Sequence, residues 1–153
     1  MNKMRISTRF SDSIHILAFI ETYKSKLPLS SENIAGSIET SPVVVRRLMG
    51  KLRSAGLLKT VHGSADPKLT REPKDISLYD VFLAVEDERH LFTVDPRTNP
   101  ECIVGGNIQA TLGDFYSQAE NAAKAKLASI TLKDVLGTIL VKQTEKDPAK
   151  LTN

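Results

Sequence analysis

The chain has 153 residues, 41% hydrophobic and 25% charged, enough for one compact domain with an appendage and a buried core. It has no apolar run of the roughly eighteen residues that a membrane span needs, no secretory signal pattern near its start, and one cysteine, Cys102; these exclude a disulfide framework and lead us to expect a cytoplasmic protein without a membrane partner. The net charge of +3 is uneven: residues 1–80 hold 13 Lys and Arg against 8 Asp and Glu, while residues 81–153 hold 8 against 10, which points to an anionic partner for the first half.

The first predicted helix spans residues 11–26, capped by Ser11 or Asp12, with Ile14, Leu17 and Ala18 on one stripe and Ile16, Phe19, Ile20 and Tyr23 widening the apolar surface. Pro28 stops it. A second, short helix starts near Ser30, with Glu32 at the positive end of its dipole and Ile34, Ala35 and Ile38 facing inward. Ser41 suits an N-cap and Pro42 a first helical position, so a third helix is expected from Pro42 to Ala55. Val45, Leu48, Met49 and Leu52 form its core stripe; a turn of about 100° per residue puts Val43, Arg47, Gly50, Lys51 and Ser54 on the opposite face. Arg46 and Arg53 flank one side of that face and Val44 the other, and Gly56 is a natural helix terminator.

Leu57 to His62 reads as a strand and Lys68 to Thr70 as its return. Ser77 caps a fourth helix carrying Leu78, Val81, Phe82 and Val85. An irregular stretch follows, then a long helix from Ile108 to Ser129 on which Ile108, Leu112, Phe115, Ala119, Ala122 and Leu127 recur in a heptad-like rhythm. Thr131 and Asp134 form a capping box for a last helix ending at Val141, beyond which the polar residues read as a frayed tail.

Three helices and a small hairpin are the parts of a winged helix-turn-helix, so the fold class is mainly α with a small β-hairpin, plus a long C-terminal dimerisation helix. The domain reading is 1–85 for the winged DNA-binding part, 86–107 for a connecting or sensor loop, 108–141 for dimerisation helices and 142–153 for a flexible tail. A helix entering the major groove needs a core-facing stripe behind and short or basic residues in front. The candidate DNA contacts are therefore Ser41, Val43, Val44, Arg46, Arg47, Lys51 and Arg53, with His62 and Lys68, and also Arg71, on the wing. Arg46 and Arg47 stand near a helix start, where basic residues oppose the dipole, which favours a functional role. Arg9 is a further phosphate candidate. His15, His62 and His90 lie in different elements, and no nucleophile elbow, phosphate loop or zinc spacing is present, so no enzyme, catalytic residue or metal site is expected.

The run Ser41-Pro42-Val43-Val44-Val45-Arg46-Arg47-Leu48, then Lys51 through Leu58, Leu69 through Val81 and Ile130 through Val135, resembles the bacterial winged-helix family that includes IscR, NsrR and CymR. The resemblance covers about residues 8 to 141 and implies a homodimeric repressor on double-stranded DNA with a pseudo-palindromic operator. The stripe from Ile108 to Leu127 needs an apolar partner in any case, which a second copy supplies. Two departures stand out. The wing reads Gly63-Ser64-Ala65-Asp66-Pro67 where the family is glycine-rich, and Asp66 would repel phosphate. Cluster-binding members carry three cysteines before the long helix, and this chain has only Cys102, as in the family's single-cysteine branch; no cofactor is expected. Cys102 stays open between a redox sensor and a buried, inert residue. The competing readings are a winged-helix interaction module without sequence-specific DNA binding and an atypical iron-sulphur regulator using His90 or a second subunit's carboxylates.

Overall fold

A computed structural model describes residues 7–60, 66–87 and 90–152. Three helices come first: α1 (Thr8–Tyr23), α2 (Ser31–Ile38) and α3 (Pro42–Ser54). An antiparallel hairpin of β1 (Leu58–Thr60) and β2 (Pro67–Leu69) follows, then α4 (Leu78–Val85), the long α5 (Ile108–Ser129) and α6 (Leu132–Lys146). Short 3-10 turns lie at Pro73–Asp75 and Pro148–Thr152. The architecture is the expected mainly helical one with a two-stranded hairpin. Among the described residues no helix is long and apolar enough to cross a membrane.

The first helix starts earlier than its residues 11–26 reading. Ser7 caps it, its Oγ accepting from the Arg9 amide (3.2 Å), and the chain leaves the helix at Lys24 through Ser25, which has a φ of 65°. Pro28 therefore does not end α1. Ile16, Leu17, Ala18, Phe19 and Ile20 are all buried, since α1 is enclosed by α2, α3, α4, α6 and β2. Ser30, Ser41 and Ser77 cap the next three helices as their side chains suggest.

The end of α3 is a Schellman motif. Gly56 adopts a φ of 79°, its amide donates to the Arg53 carbonyl (2.9 Å), and the Leu57 amide donates to Leu52 (2.9 Å). This turns the chain straight into β1, with Leu57 and Leu58 in the core. The first strand starts at Leu58 where Leu57 was expected, its expected end at His62 lies outside the described residues, and the return strand is Pro67–Leu69 where Lys68–Thr70 was expected. Leu58 pairs with Leu69, Lys59 with Lys68, and Thr60 with Pro67.

Backbone hydrogen bonds tie the C-terminal helices to the turn before α4. Leu78 donates to the Ile130 carbonyl (2.9 Å) and Leu132 to the Ile76 carbonyl (2.8 Å), and Leu132 and Ile76 are both buried. The last helix does not stop at Val141 but runs to Lys146. Its polar residues extend it, and the break comes at Asp147-Pro148, where Pro148 cannot continue an α-helix.

Candidate nucleic-acid interface

Amphipathicity orients α3. Val45, Leu48, Met49 and Leu52 are buried, as the stripe requires, and hold the helix against α1 and α2. Ser41 spends its Oγ on the Val44 amide (3.3 Å), which fixes the helix start. Val44 is half-buried and packs on the core, so it is not part of the outward face.

The remaining positions separate by what meets them. Val43 stands 56% exposed at the first turn. Arg47 and Arg53 are exposed, and their side chains make no ion pair or hydrogen bond among the described residues. Arg46 reaches back to Glu32 on α2 (3.7 Å), and Lys51 is half-buried and pairs with Asp87 beyond α4 (3.8 Å). Arg47, Gly50, Lys51 and Ser54 share a shallow groove with Leu83 and Ala84 of α4. A Cβ added at Gly50 would meet nothing within 4 Å, so packing inside the chain does not require glycine there.

On the hairpin, His62 lies outside the described residues. Lys68 is exposed and sits directly opposite Lys59, also exposed. Like charges paired across strands destabilise an isolated hairpin. The sequence reading missed Lys59; its signal, a lysine one residue from Leu58 on the outward side of the strand, acquires meaning once the register is known. Asp66 points inward, its Oδ1 accepting from the Leu29 amide (3.0 Å), which ties the wing base to the turn between α1 and α2. The expected phosphate repulsion from Asp66 is reduced accordingly, because its carboxylate is engaged by the backbone.

Two other basic candidates serve the fold. Arg9 pairs with the buried Glu86 (3.1 Å), which also accepts from the Ser7 hydroxyl. Arg71 binds Asp80 (3.1 Å), the carboxylate that completes the Ser77 capping box.

The segment before α5 is fastened by Glu120. This buried carboxylate accepts from the amides of Leu91 and Phe92 and lies 3.4 Å from His90 Nδ1. Burial pushes its pKa up, but the two amides and His90 outweigh that and hold it below the usual glutamate range. Cys102 is exposed, which sets aside a buried packing role, and its Sγ accepts from the Gly105 amide (3.0 Å). Gly105 is needed for space: a Cβ there would lie 2.0 Å from the Asn99 carbonyl oxygen. Among the described residues no three His, Cys, Asp or Glu side chains converge to hold a metal ion. With one thiol in the chain, these donors do not fit a thiolate-held cluster. His15 meets Ser37 (2.8 Å) and His90 meets Glu120, so these two histidines share no site.

On α5, Leu112, Phe115, Ala119 and Ala122 follow one helical face; Phe115 is 60% exposed and Ala119 and Ala122 are open to solvent. Ile108, Leu112 and Leu127 are half-buried. Exposed Ile139, Leu140 and Val141 on α6 add further uncovered apolar surface.

A profile of the Rrf2 family, described as iron-dependent transcriptional regulators, matches residues 6–138. YwnA of Bacillus subtilis strain 168, a candidate HTH-type transcriptional regulator, is 40% identical over 131 residues, covering 86% of this chain and 96% of YwnA. A solved structure described as a candidate DNA-binding protein is 38% identical and has a TM-score of 0.67, covering 84% of this chain and 98% of that one. IscR of T. potens shares the fold at 23% identity and a TM-score of 0.69, covering 92% of each chain. CymR, the global cysteine regulator of B. subtilis, shares it at 24% identity and a TM-score of 0.66, covering 87% of this chain and 96% of that one.

Proposed function

Because the chain belongs to the Rrf2 family of DNA-binding transcriptional regulators, we propose that it is a homodimeric repressor that reads a pseudo-palindromic operator with two copies of α3. The observation that carries this reading is the uncompensated charge on α3 and on the hairpin. Arg47 and Arg53 on α3 lack partners among the described residues, and Lys59 and Lys68 face each other on the hairpin. Cations left unneutralised at these positions fit an anionic partner, and a helix with Val43 and Arg47 outward fits a major groove. In this reading Arg47 contacts a guanine edge, Val43 a thymine methyl, and Arg53, Lys59 and Lys68 contact phosphates. Arg46 and Lys51 exchange Glu32 and Asp87 for DNA when it docks.

Residues 1–85 form the DNA-binding part, 86–107 the sensor loop and 108–141 the dimerisation helices. The exposed face of Phe115, Ala119 and Ala122 supports the second copy, since water-exposed apolar surface at helical spacing gains by burial against its own symmetry mate. Release from DNA follows oxidation of the exposed Cys102 thiol by hydrogen peroxide, which gives the sulfenic acid and water.

The decisive experiment is a salt-dependent shift of the DNA upstream of the native gene by purified protein, with dimerisation followed by light scattering. Arg47→Ala should weaken the shift by about tenfold or more and keep the dimer. A wild-type protein that binds that DNA no better than random DNA overturns the repressor reading. For the signal, peroxide should release wild type and leave Cys102→Ser bound; equal release of both removes Cys102 from the mechanism.

A further inference from the structure

A cleft of about 890 Å³ opens between the C-terminal end of α1, the base of the hairpin, the 3-10 turn at Pro73–Asp75 and α6. No lining residue belongs to α3, so the cleft is separate from the reading helix. Its volume is in the range of small-molecule sites, about 300–1,000 Å³.

The chemistry of the walls is uneven. Ile20 and Leu29 are almost fully buried and, with the half-buried Leu69, give the cleft an apolar floor. Around this floor the basic side chains outnumber the acidic ones, five to three. All three acids are engaged: Glu21 with Lys24 (2.8 Å), Glu72 with Lys74 (3.5 Å) and Asp66 with the Leu29 amide (3.0 Å). Lys68 from β2 and Lys133 from α6 make no ion pair among the described residues. Ser25, at one end of the cleft, is held at a φ of 65°, a conformation that costs a serine energy and that recurs at functional sites.

We propose that this cleft binds a small amphipathic organic anion, with its apolar body on Ile20, Leu29 and Leu69 and its carboxylate or phosphate between Lys68 and Lys133. An apolar floor alone selects no charge, and two lysines alone hold any counter-ion. Together they select a ligand that has both parts. The occupant touches the hairpin base through Lys68 and the last helix through Lys133, so it bridges the wing and α6.

The test is an NMR titration of the full-length, isotope-labelled protein with three probes: naphthoate, the neutral naphthalene methanol, and inorganic phosphate. Naphthoate should shift the amides of Ile20, Leu29, Leu69 and Lys133 in a saturable way, and each of the other probes should bind at least about tenfold more weakly. Lys133→Gln should weaken naphthoate about tenfold, while Lys124→Gln, the same charge loss away from the cleft, should leave its affinity unchanged. The proposal is overturned if the shifts fall on Phe115 and its neighbours along α5. Equal binding of the neutral probe, phosphate binding as tight as naphthoate, or an indifferent Lys133→Gln would overturn it equally. The readout needs no DNA, so it stands apart from the repressor reading.

Discussion

Ser77 and Thr131 pair backbone to backbone across the joint between the winged part and the C-terminal helices, and each also caps the helix that follows it. Their hydroxyls accept from the amides of Asp80 (3.0 Å) and Asp134 (3.2 Å), and those carboxylates bond back to the cap amides (2.9 Å each). Two helices thus start from one bridge. Thr131→Val keeps the side-chain shape and removes the acceptor, so it should cost about 1 kcal/mol, read by urea denaturation. An unchanged midpoint would show that the cap adds nothing.

Arg47 and Arg71 should separate cleanly. Arg47→Ala should lower operator affinity by about 1–3 kcal/mol with thermal stability unchanged. Arg71→Ala removes the Asp80 partner and should lower stability while operator affinity, corrected for folded protein, stays within twofold or so. Reversed behaviour would place the reading surface elsewhere.

The facing lysines of the hairpin predict a trade. Lys59→Ala should relieve cross-strand repulsion and raise stability by a few tenths of a kcal/mol. It should also make DNA binding less salt-dependent, reducing the log–log slope by about one. A stability gain without a change in slope would mean that the wing does not touch phosphate.

Gly50 lies inside a helix with open space around it. Gly50→Ala should therefore stabilise the free protein by about 0.5–1 kcal/mol. If the helix backbone approaches DNA at that point, the same methyl should weaken operator binding. Both measurements are needed, calorimetry on the free protein and a DNA titration; a stabilised variant with full affinity would remove Gly50 from the interface.

Glu120 predicts an acid-sensitive loop. Its folded pKa lies below the unfolded value, so its stabilisation is complete above the unfolded glutamate pKa of about 4.3 and is lost as pH falls below it towards the folded value. Glu120→Gln should destabilise the protein at neutral pH, and its deficit against wild type should shrink on acidification through that window. Melting temperatures over that pH range test this; a constant gap would show that ionisation of Glu120 is not what holds the loop.

What the sequence alone determined was local. The start of α3 is set by Ser41 and Pro42, its end by Gly56 and its inward face by Val45, Leu48, Met49 and Leu52, because capping, a fixed φ and a 3.6-residue period act within a few residues of chain. The same holds for the cap at Ser77 and the capping box at Thr131, and for the resemblance that announced the winged fold. Only the tertiary structure decided which cations are spoken for. Arg46 and Arg47 are neighbours of one type on one helix, yet Arg46 meets Glu32 and Arg47 has no such partner among the described residues, because α2 lies on one side of the helix. Arg9, a phosphate candidate, and Arg71, a wing candidate, gained the partners Glu86 and Asp80 only through packing. Lys59 emerged only from the strand register, and Glu120 only from the folding of residues 90–92 onto α5. An ion pair across dozens of residues depends on how elements pack, and neither charge nor spacing along the chain encodes that distance.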